Sequence, residues 1–369
     1  MRWIKDLGTV LLVSLATIIC VDVTGLIFKD HLQHIFPYYG VPIEEISRGY
    51  PMHHFRSDAE LGFDINPNFR TSTSIKPREY KEYDVWGNTY GCFDDEWRDD
   101  QLADGIYLAG DSFTWGYAEY AKKFGTILQD RSQIPVFACG VSHTGQRHQF
   151  IKFNRLYEAG LRPSYVIVNV LSNDLDNDFF FPHTTVIDGY MVENIEYCGE
   201  FGSDYFEYSR LSNDNVNVTI LLRIYSLTAN VITDLSRRFR TPWFTQHNGH
   251  STCKRSIYVG LAKIGAEYSH HAATLENRRV IEDWITHSVN HGYELIFSFI
   301  PPKDVNRALS HPYVMDFISQ KGGRFESFKA YCERNSIALS ELYYQQDGHF
   351  NEKGNAVYAE FLLEIIGEF

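Results

Sequence analysis

The sequence predicts an α/β fold with a mainly parallel β-sheet, and two features of the chain support this prediction. Short apolar runs recur along its second part and alternate with segments that have helical spacing. Several of these runs end abruptly in glycine or small polar residues, as buried strands do where they turn toward a helix. The predicted strands cover residues 105–110, 134–139, 164–171, 293–300 and 336–341.

The C-terminal segment is the clearest predicted helix. Its apolar residues follow the spacing i, i+3, i+4, i+7, i+8 and form one stripe that would pack against the sheet: Tyr358, Phe361, Leu362, Ile365 and Ile366. Asn351 is the predicted N-cap of this helix. Another helix is predicted to open at Gly322-Gly323 and to carry Phe325, Phe328 and Tyr331.

A serine follows the first predicted strand directly, in the sequence Gly110-Asp111-Ser112. Its hydroxyl would lie at the C-terminal edge of the sheet, where open α/β folds place their chemistry. A serine acts as a nucleophile only with a base and a group that orients that base. His349 could be the base and Asp347 the group that orients it. Gly110-Asp111-Ser112 and Asp347-Gly348-His349 are, however, also residue types that are common in ordinary turns.

Two further strand ends supply candidate hydrogen-bond donors for a developing oxyanion. Gly140 follows the second predicted strand, and a glycine lets the backbone N–H come close to a ligand. Asn173 and Asp174 follow the third strand, and the carboxamide of Asn173 is the other candidate donor. The alternative for Asn173 is an Asx turn that closes the strand.

Taken in this order, these residues resemble the SGNH (GDSL) hydrolase superfamily, which is named for its Ser, Gly, Asn and His blocks. The resemblance spans roughly residues 104–180 and 290–369 and is carried by Gly110-Asp111-Ser112 with Gly116, Gly140, Asn173-Asp174, Asp347 and His349. It implies a flavodoxin-like three-layer α/β/α fold of the SGNH type. It also implies Ser112 as the nucleophile, His349 as the base and Asp347 as its orienting acid. The implied oxyanion hole consists of the Ser112 and Gly140 N–H groups and the Asn173 side chain.

Two blocks depart from the family's usual pattern. The third block usually reads Gly-x-Asn-Asp, whereas this chain has Leu171-Ser172-Asn173-Asp174. The last block usually places Asp three residues before His, but Gln346 occupies that position and Asp347 lies two residues before His349. This spacing resembles membrane-associated members that handle acyl groups on polysaccharides. The resemblance therefore implies an ester hydrolase for O-acyl groups of an extracytoplasmic glycan. The alternatives are an O-acyltransferase onto polysaccharide and a non-catalytic glycan-binding module on the same fold.

The N-terminal segment is predicted to be an uncleaved signal anchor. Gly8 to Phe28 is nearly continuously apolar and long enough, at about 1.5 Å per residue, to cross a hydrocarbon core of about 30 Å. Arg2 and Lys5 precede it, which favours a cytoplasmic N-terminus and an extracytoplasmic catalytic domain. A cleaved signal peptide is the alternative.

The net charge of −13 over 369 residues argues against nucleic-acid binding.

These features divide the chain into an anchor at residues 1–30, a lead-in segment at 31–103 that packs on the core, and an SGNH-like catalytic domain at 104–369. A helical insertion at about 178–288 interrupts the catalytic domain. Residues 216–235 of the insertion have helical spacing. We expect them to form a cap over the site, and an interfacial membrane helix is the second interpretation.

Cysteines and histidines suggest neither a disulfide framework nor a metal centre. Of six cysteines, all except Cys20 follow the anchor; their number is odd and their spacing is irregular. Cys139 is predicted to be a small buried core residue. His247, His250 and Cys253 have ligand-like spacing but lack a clear fourth ligand, so we expect no metal and no cofactor.

Overall fold

The structure is a computed structural model that describes residues 2–32, 35, 39–40, 50–67, 69–73, 82–179, 181–182, 184–193, 222, 224–232, 272–303, 311–345 and 347–367. Its strands are β1 (Phe55–Asp58), β2 (Gly62–Ile65), β3 (Arg70–Thr73), β4 (Tyr83–Trp86), β5 (Ile106–Gly110), β6 (Val136–Gly140), β7 (Tyr165–Val170), β8 (Thr184–Ile187), β9 (Tyr190–Glu193), β10 (Glu294–Phe299) and β11 (Arg324–Ser327). Its α-helices are α1 (Arg2–Ile27), α2 (Lys29–Leu32), α3 (Ser112–Trp115), α4 (Phe124–Ser132), α5 (Gln146–Glu158), α6 (Asp174–Phe179), α7 (Ala272–His291), α8 (His311–Gln320), α9 (Phe328–Arg334) and α10 (Glu352–Ile366).

The central sheet has the order β11-β10-β7-β5-β6, and every neighbouring pair in it is parallel. Residues alternate between its two faces with a period of two. Tyr107 and Ala109 of β5 pack in one core with α5, α7 and α8, whereas Ile106 and Leu108 pack in a second core with α4, α9 and α10. The predicted flavodoxin-like α/β/α arrangement is therefore confirmed.

Four of the five predicted strands are confirmed as β5, β6, β7 and β10. The fifth is wrong, because residues 336–341 contain only a short 3₁₀ turn at Leu339–Glu341. The fifth strand is instead β11, which contains Phe325, and the helix predicted after Gly322-Gly323 begins only at Phe328. β11 was not predicted because it is a short, partly exposed edge strand in which Phe325 is the one apolar residue, so it has no continuous apolar run.

The lead-in segment packs against β6, an edge strand of the central sheet. Asp94 lies in it, is buried, and accepts hydrogen bonds from the Trp97 indole N–H at 2.8 Å, the Ala138 backbone N–H at 2.9 Å and the Tyr120 hydroxyl at 2.9 Å. These bonds connect the segment to β6 and to the chain before α4. The lead-in is therefore anchored by buried polar contacts in addition to apolar packing.

A disulfide joins Cys92 of the lead-in to Cys139 of β6, with a Cα–Cα distance of 4.8 Å. Cys139 is buried as predicted, but it is one half of a covalent cross-link and not an independent core residue. The irregular spacing hid this pair, because disulfide partners are set by proximity in the fold. Cys20 and Cys332 are free. The histidine and cysteine cluster at 247–253 lies outside the described residues.

One helix in the described part of the chain, at Gly8–Ile27, is long and apolar enough to cross a membrane, and it is almost entirely exposed. A signal sequence has the same properties. Asp22 of this helix accepts hydrogen bonds from the Ser226 hydroxyl and from the Thr228 N–H and hydroxyl, each at 2.9 Å. The described part of the predicted cap helix thus contacts α1. That this segment covers the site stays a prediction.

The core resumes before the expected end of the insertion. Helix α7 begins at Ala272 and supplies Val280, Ile281 and Trp284 to the core around β5, β7 and β10. Near the start of the insertion, β8 and β9 form an antiparallel hairpin. Ser57 of β1 donates a hydrogen bond of 2.8 Å to the Val186 carbonyl of this hairpin, which ties the insertion to the lead-in segment.

Candidate active site

Ser112 lies at the turn between β5 and α3, at the C-terminal edge of the sheet. Asp111 is the N-cap of α3, and its Oδ1 accepts the Phe113 N–H at 3.0 Å. Gly110 permits this sharp turn, since a Cβ at that position would lie 2.0 Å from the Thr114 hydroxyl oxygen. The Gly-Asp-Ser sequence therefore has a steric reason for its first residue and a capping reason for its second.

The structure brings Ser112 and the C-terminal histidine together across 237 positions of sequence. The distance from Ser112 Oγ to His349 Nε2 is 2.8 Å. Asp347 Oδ1 accepts hydrogen bonds from the Nδ1–H of the imidazole and, at 2.9 Å, from the His349 backbone N–H. Because the carboxylate holds the proton on Nδ1, the Nε2 lone pair faces the Ser112 hydroxyl. An aspartate two residues before the histidine therefore reaches the ring.

The loop that carries His349 is held at both ends. Tyr343 and Phe350 form an antiparallel bridge, and the Tyr344 N–H donates to the His349 carbonyl at 3.0 Å. Asn351 Oδ1 accepts the Gly354 N–H at 2.9 Å, so the predicted N-cap of α10 is confirmed. The imidazole therefore projects from a loop that is tied to a long, buried helix.

Two aromatic rings lie against the imidazole. The ring centroids of Phe113 and Tyr117 are 5.0 Å and 4.1 Å from that of His349. The His349 side chain keeps 17% of its surface exposed, so the site is open to solvent on its remaining side. Neither aromatic residue was predicted to belong to the site, although both follow the serine within five positions.

Asn173 joins the same site from the end of β7. Its Nδ2 donates to Asp111 Oδ2 at 3.1 Å, and Ser112 Oγ lies 3.3 Å from the same carboxylate oxygen. The carboxamide has two N–H bonds, so one stays available for a substrate oxygen while the other is held by Asp111. Asp111 therefore orients the predicted oxyanion donor, a role that its sequence position alone does not reveal.

Gly140 pairs with Gly110 at the ends of β6 and β5. A Cβ at Gly140 would lie 2.1 Å from the backbone nitrogen of Trp115, so the absent side chain lets α3 pack directly on β6. The Val141 N–H donates to the Gly110 carbonyl at 3.0 Å, and in a parallel ladder the preceding N–H, that of Gly140, then points away from β5. The structure thus gives Gly140 a packing role, and its donor role stays a prediction.

Three buried aspartates lie in and behind the site. Burial raises the pKa of Asp111, and burial together with the neighbouring Asp111 charge raises the pKa of Asp174 well above its usual value. Burial also raises the pKa of Asp178 to about 7, although the Arg147 N–H at 2.8 Å and the Asn277 amide at 2.9 Å favour its charged form. Among the described residues, no group of three or more His, Cys, Asp or Glu side chains could hold a metal ion.

Comparisons with known proteins identify similar structures but no similar sequences. No family model and no curated protein matches the chain. A lipolytic protein of the G-D-S-L family from Desulfitobacterium hafniense is 12% identical with a TM-score of 0.37, and the match covers 71% of this chain and 99% of that one. A member of the same family from Veillonella parvula is 11% identical with a TM-score of 0.37, covering 72% and 100%.

An acetyl-xylooligosaccharide esterase variant from Geobacillus is likewise 11% identical with a TM-score of 0.37, over 73% of this chain and 97% of the esterase. The sheet order, the hydrogen bond of Asn173 to Asp111 and the contacts of His349 with Asp347 and Ser112 are features of this chain's own structure. In its sequence blocks, its parallel sheet and the arrangement of these four side chains, the chain resembles the SGNH (GDSL) hydrolase superfamily.

Proposed function

We propose that the chain is a serine-dependent hydrolase of acyl esters. The observation that carries this proposal is the 2.8 Å contact between Ser112 Oγ and His349 Nε2, with Asp347 on the opposite edge of the imidazole. Binding alone requires neither a base beside a hydroxyl nor a carboxylate that sets the tautomer of that base. Nucleophilic catalysis requires both.

The reaction begins with attack of Ser112 Oγ on the ester carbonyl carbon, while His349 Nε2 takes the hydroxyl proton. The carbonyl oxygen becomes an oxyanion that accepts hydrogen bonds from the N–H groups of Ser112 and Gly140 and from the second N–H of the Asn173 carboxamide. The tetrahedral intermediate then collapses, and the leaving alkoxide receives the proton from His349. Asp347 stabilises the imidazolium during these steps. A water molecule, deprotonated by His349, then attacks the carbonyl carbon of the acyl-enzyme. The bond to Ser112 Oγ breaks, Oγ takes the proton back from His349, and the carboxylic acid is released.

The proposed substrate class is the O-acyl ester of a glycan outside the cytoplasmic membrane. The apolar helix at Gly8–Ile27, preceded by Arg2 and Lys5, supports a single-pass protein whose catalytic domain lies on the extracytoplasmic side. The Cys92–Cys139 disulfide supports the same location, because disulfides persist in oxidising compartments. The two-residue spacing of Asp347 and His349 links the chain to glycan chemistry only through family resemblance.

Fluorophosphonate labelling tests the proposed nucleophile. The full chain in detergent should be labelled at Ser112, and Ser112→Ala should abolish the label. Ser319→Ala, on the exposed face of α8, is the matched control and should leave labelling unchanged. A wild-type protein that is not labelled at Ser112 would overturn the hydrolase proposal and favour a glycan-binding module.

Adding an oligosaccharide that can accept the acyl group distinguishes hydrolysis from transfer. The protein is incubated with an acetylated oligosaccharide, with and without an unacetylated one. Hydrolysis predicts free acetate at the same rate in both mixtures. Acetylation of the second oligosaccharide, with a matching fall in free acetate, would instead identify an O-acyltransferase that uses the same acyl-enzyme.

A further inference from the structure

Tyr117 covers one face of the proposed catalytic imidazole. Its ring centroid is 4.1 Å from that of His349, and the two planes are inclined by 44°. Phe113 packs against the imidazole at 5.0 Å and 41°. The hydrogen bond to Asp347 restrains only the Nδ1 edge of the ring, around which the imidazole can still swing. Contacts with two aromatic rings restrict this swing and keep Nε2 within reach of Ser112.

Tyr117 is itself held by the lead-in segment. Its hydroxyl shares a hydrogen bond of 2.5 Å with the hydroxyl of Tyr50, which lies 67 positions earlier in the chain. Both phenol rings are buried, with 4% and 6% of their surface exposed. The Tyr117 carbonyl also accepts the Tyr344 hydroxyl at 3.2 Å, and Tyr344 in turn binds the His349 backbone.

Tyr50 is immobilised by its own neighbours. Its ring lies edge-on to those of Phe55 at 5.1 Å and Trp115 at 5.9 Å. Trp115 ends α3, the helix that begins with Ser112, and its indole N–H donates to the neutral His54 Nε2 at 3.1 Å. Tyr50 of the lead-in thus contacts both the helix of the serine and the ring that packs on the histidine.

We propose that Tyr117 is a positioning residue for His349 and that Tyr50 of the lead-in segment holds it in place. This inference rests on the proposed function, because positioning matters only if His349 acts as a base. The lead-in segment then helps to position His349, in addition to connecting the N-terminal helix to the catalytic domain.

The test compares loss of the ring with loss of the hydroxyl. Tyr117→Leu removes the ring and should lower both kcat for p-nitrophenyl acetate and the rate of fluorophosphonate labelling at least tenfold, with KM changed less than threefold. Tyr117→Phe and Tyr50→Phe keep both rings and remove the hydrogen bond between the hydroxyls. Each should lower the two rates two- to fivefold, and the double variant should be no slower than either single variant.

Tyr157→Leu is the matched control. Tyr157 packs on two other imidazoles, those of His291 at 4.6 Å and His287 at 5.0 Å, away from the site. Its loss should lower the thermal unfolding midpoint and leave both rates unchanged. Equal slowing by the two leucine variants would overturn the positioning role, because it would reflect a general loss of stability.

The possible failures are distinguishable. A wild-type chain that is not labelled at Ser112 overturns the proposed function itself. A labelled wild type with an equally fast Tyr117→Leu overturns only the positioning role. If Tyr117→Leu does not fold, the two phenylalanine variants decide, and wild-type rates in both would contradict the role of the hydrogen bond.

Discussion

Removal of the Cys92–Cys139 disulfide should destabilise the folded protein by an amount that follows from its place in the chain. The bond closes a loop across 47 positions and ties the lead-in segment to β6, one residue before Gly140. Both cysteines are almost fully buried. Breaking the cross-link leaves the folded contacts largely in place but frees the unfolded chain to adopt many more conformations.

The magnitude can be worked from the loop length. With 47 residues in the closed loop, the chain-entropy relation gives a loss of about 4 kcal/mol at 25 °C in the free energy of unfolding. Cys92→Ala combined with Cys139→Ala keeps small apolar side chains at both positions, so the entropic effect should dominate. We expect this double variant to unfold at a clearly lower urea concentration than the wild type.

Urea unfolding of the full chain in detergent, followed by tryptophan fluorescence, measures this loss. Addition of reductant should destabilise the wild type and leave the double alanine variant unchanged, which is the internal control. A loss below about 1 kcal/mol would refute the reasoning, since the cross-link would then constrain the unfolded chain far less than its loop length requires. Equal sensitivity of the double variant to reductant would assign the effect to other cysteines.

Four further predictions concern the site and its support. Asn173→Ala should lower kcat for an ester by about 10²–10³ through loss of an oxyanion donor, and a change below threefold would contradict that role. Asp347→Asn should lower kcat by about 10⁴, because the Nδ1–H loses its anionic acceptor; retained activity would identify another orienting group. Gly140→Ala should lower the free energy of unfolding in urea by about 1–3 kcal/mol, because the new Cβ would lie 2.1 Å from a backbone nitrogen of α3. Gly348→Ala is the control and should lower it much less, because a Cβ there meets nothing within 4 Å. His54 has its pKa lowered to about 3 by burial, so the unfolded chain binds more protons between pH 3 and 6.5 and stability falls as the pH drops through this window. His54→Gln should flatten that fall by up to about 1.4 kcal/mol per pH unit, and an unchanged slope in urea unfolding between pH 4 and 6.5 would disprove the assignment.

The main features of the fold were predictable because they rest on local signals. The buried strands of the sheet are continuous apolar runs, and the carboxyl ends of parallel strands meet at one edge. This rule places Ser112 and Asn173 together before any coordinates are known. β11 was not predictable, because a partly exposed edge strand lacks such a run.

The support of the site could not be predicted from its own residues. The contact of Tyr50 with Tyr117 and the pairing of Cys92 with Cys139 join positions 67 and 47 residues apart. Neither pair has a spacing that distinguishes it from other aromatic residues and cysteines in the chain. The contact of Thr228 with Asp22 of the N-terminal helix is equally long-range and has no signal in the sequence.

The sequence by itself determined which strand ends carry the candidate serine and asparagine, because strand pattern, turn residues and helix caps depend on neighbours a few positions away. Only the tertiary structure decided how those side chains are held. The tautomer and plane of His349, the orientation of Asn173 by Asp111 and the packing of Gly140 against α3 depend on contacts between elements that are distant in sequence. Such contacts form only when both faces of the sheet are covered and the lead-in segment closes over its edge.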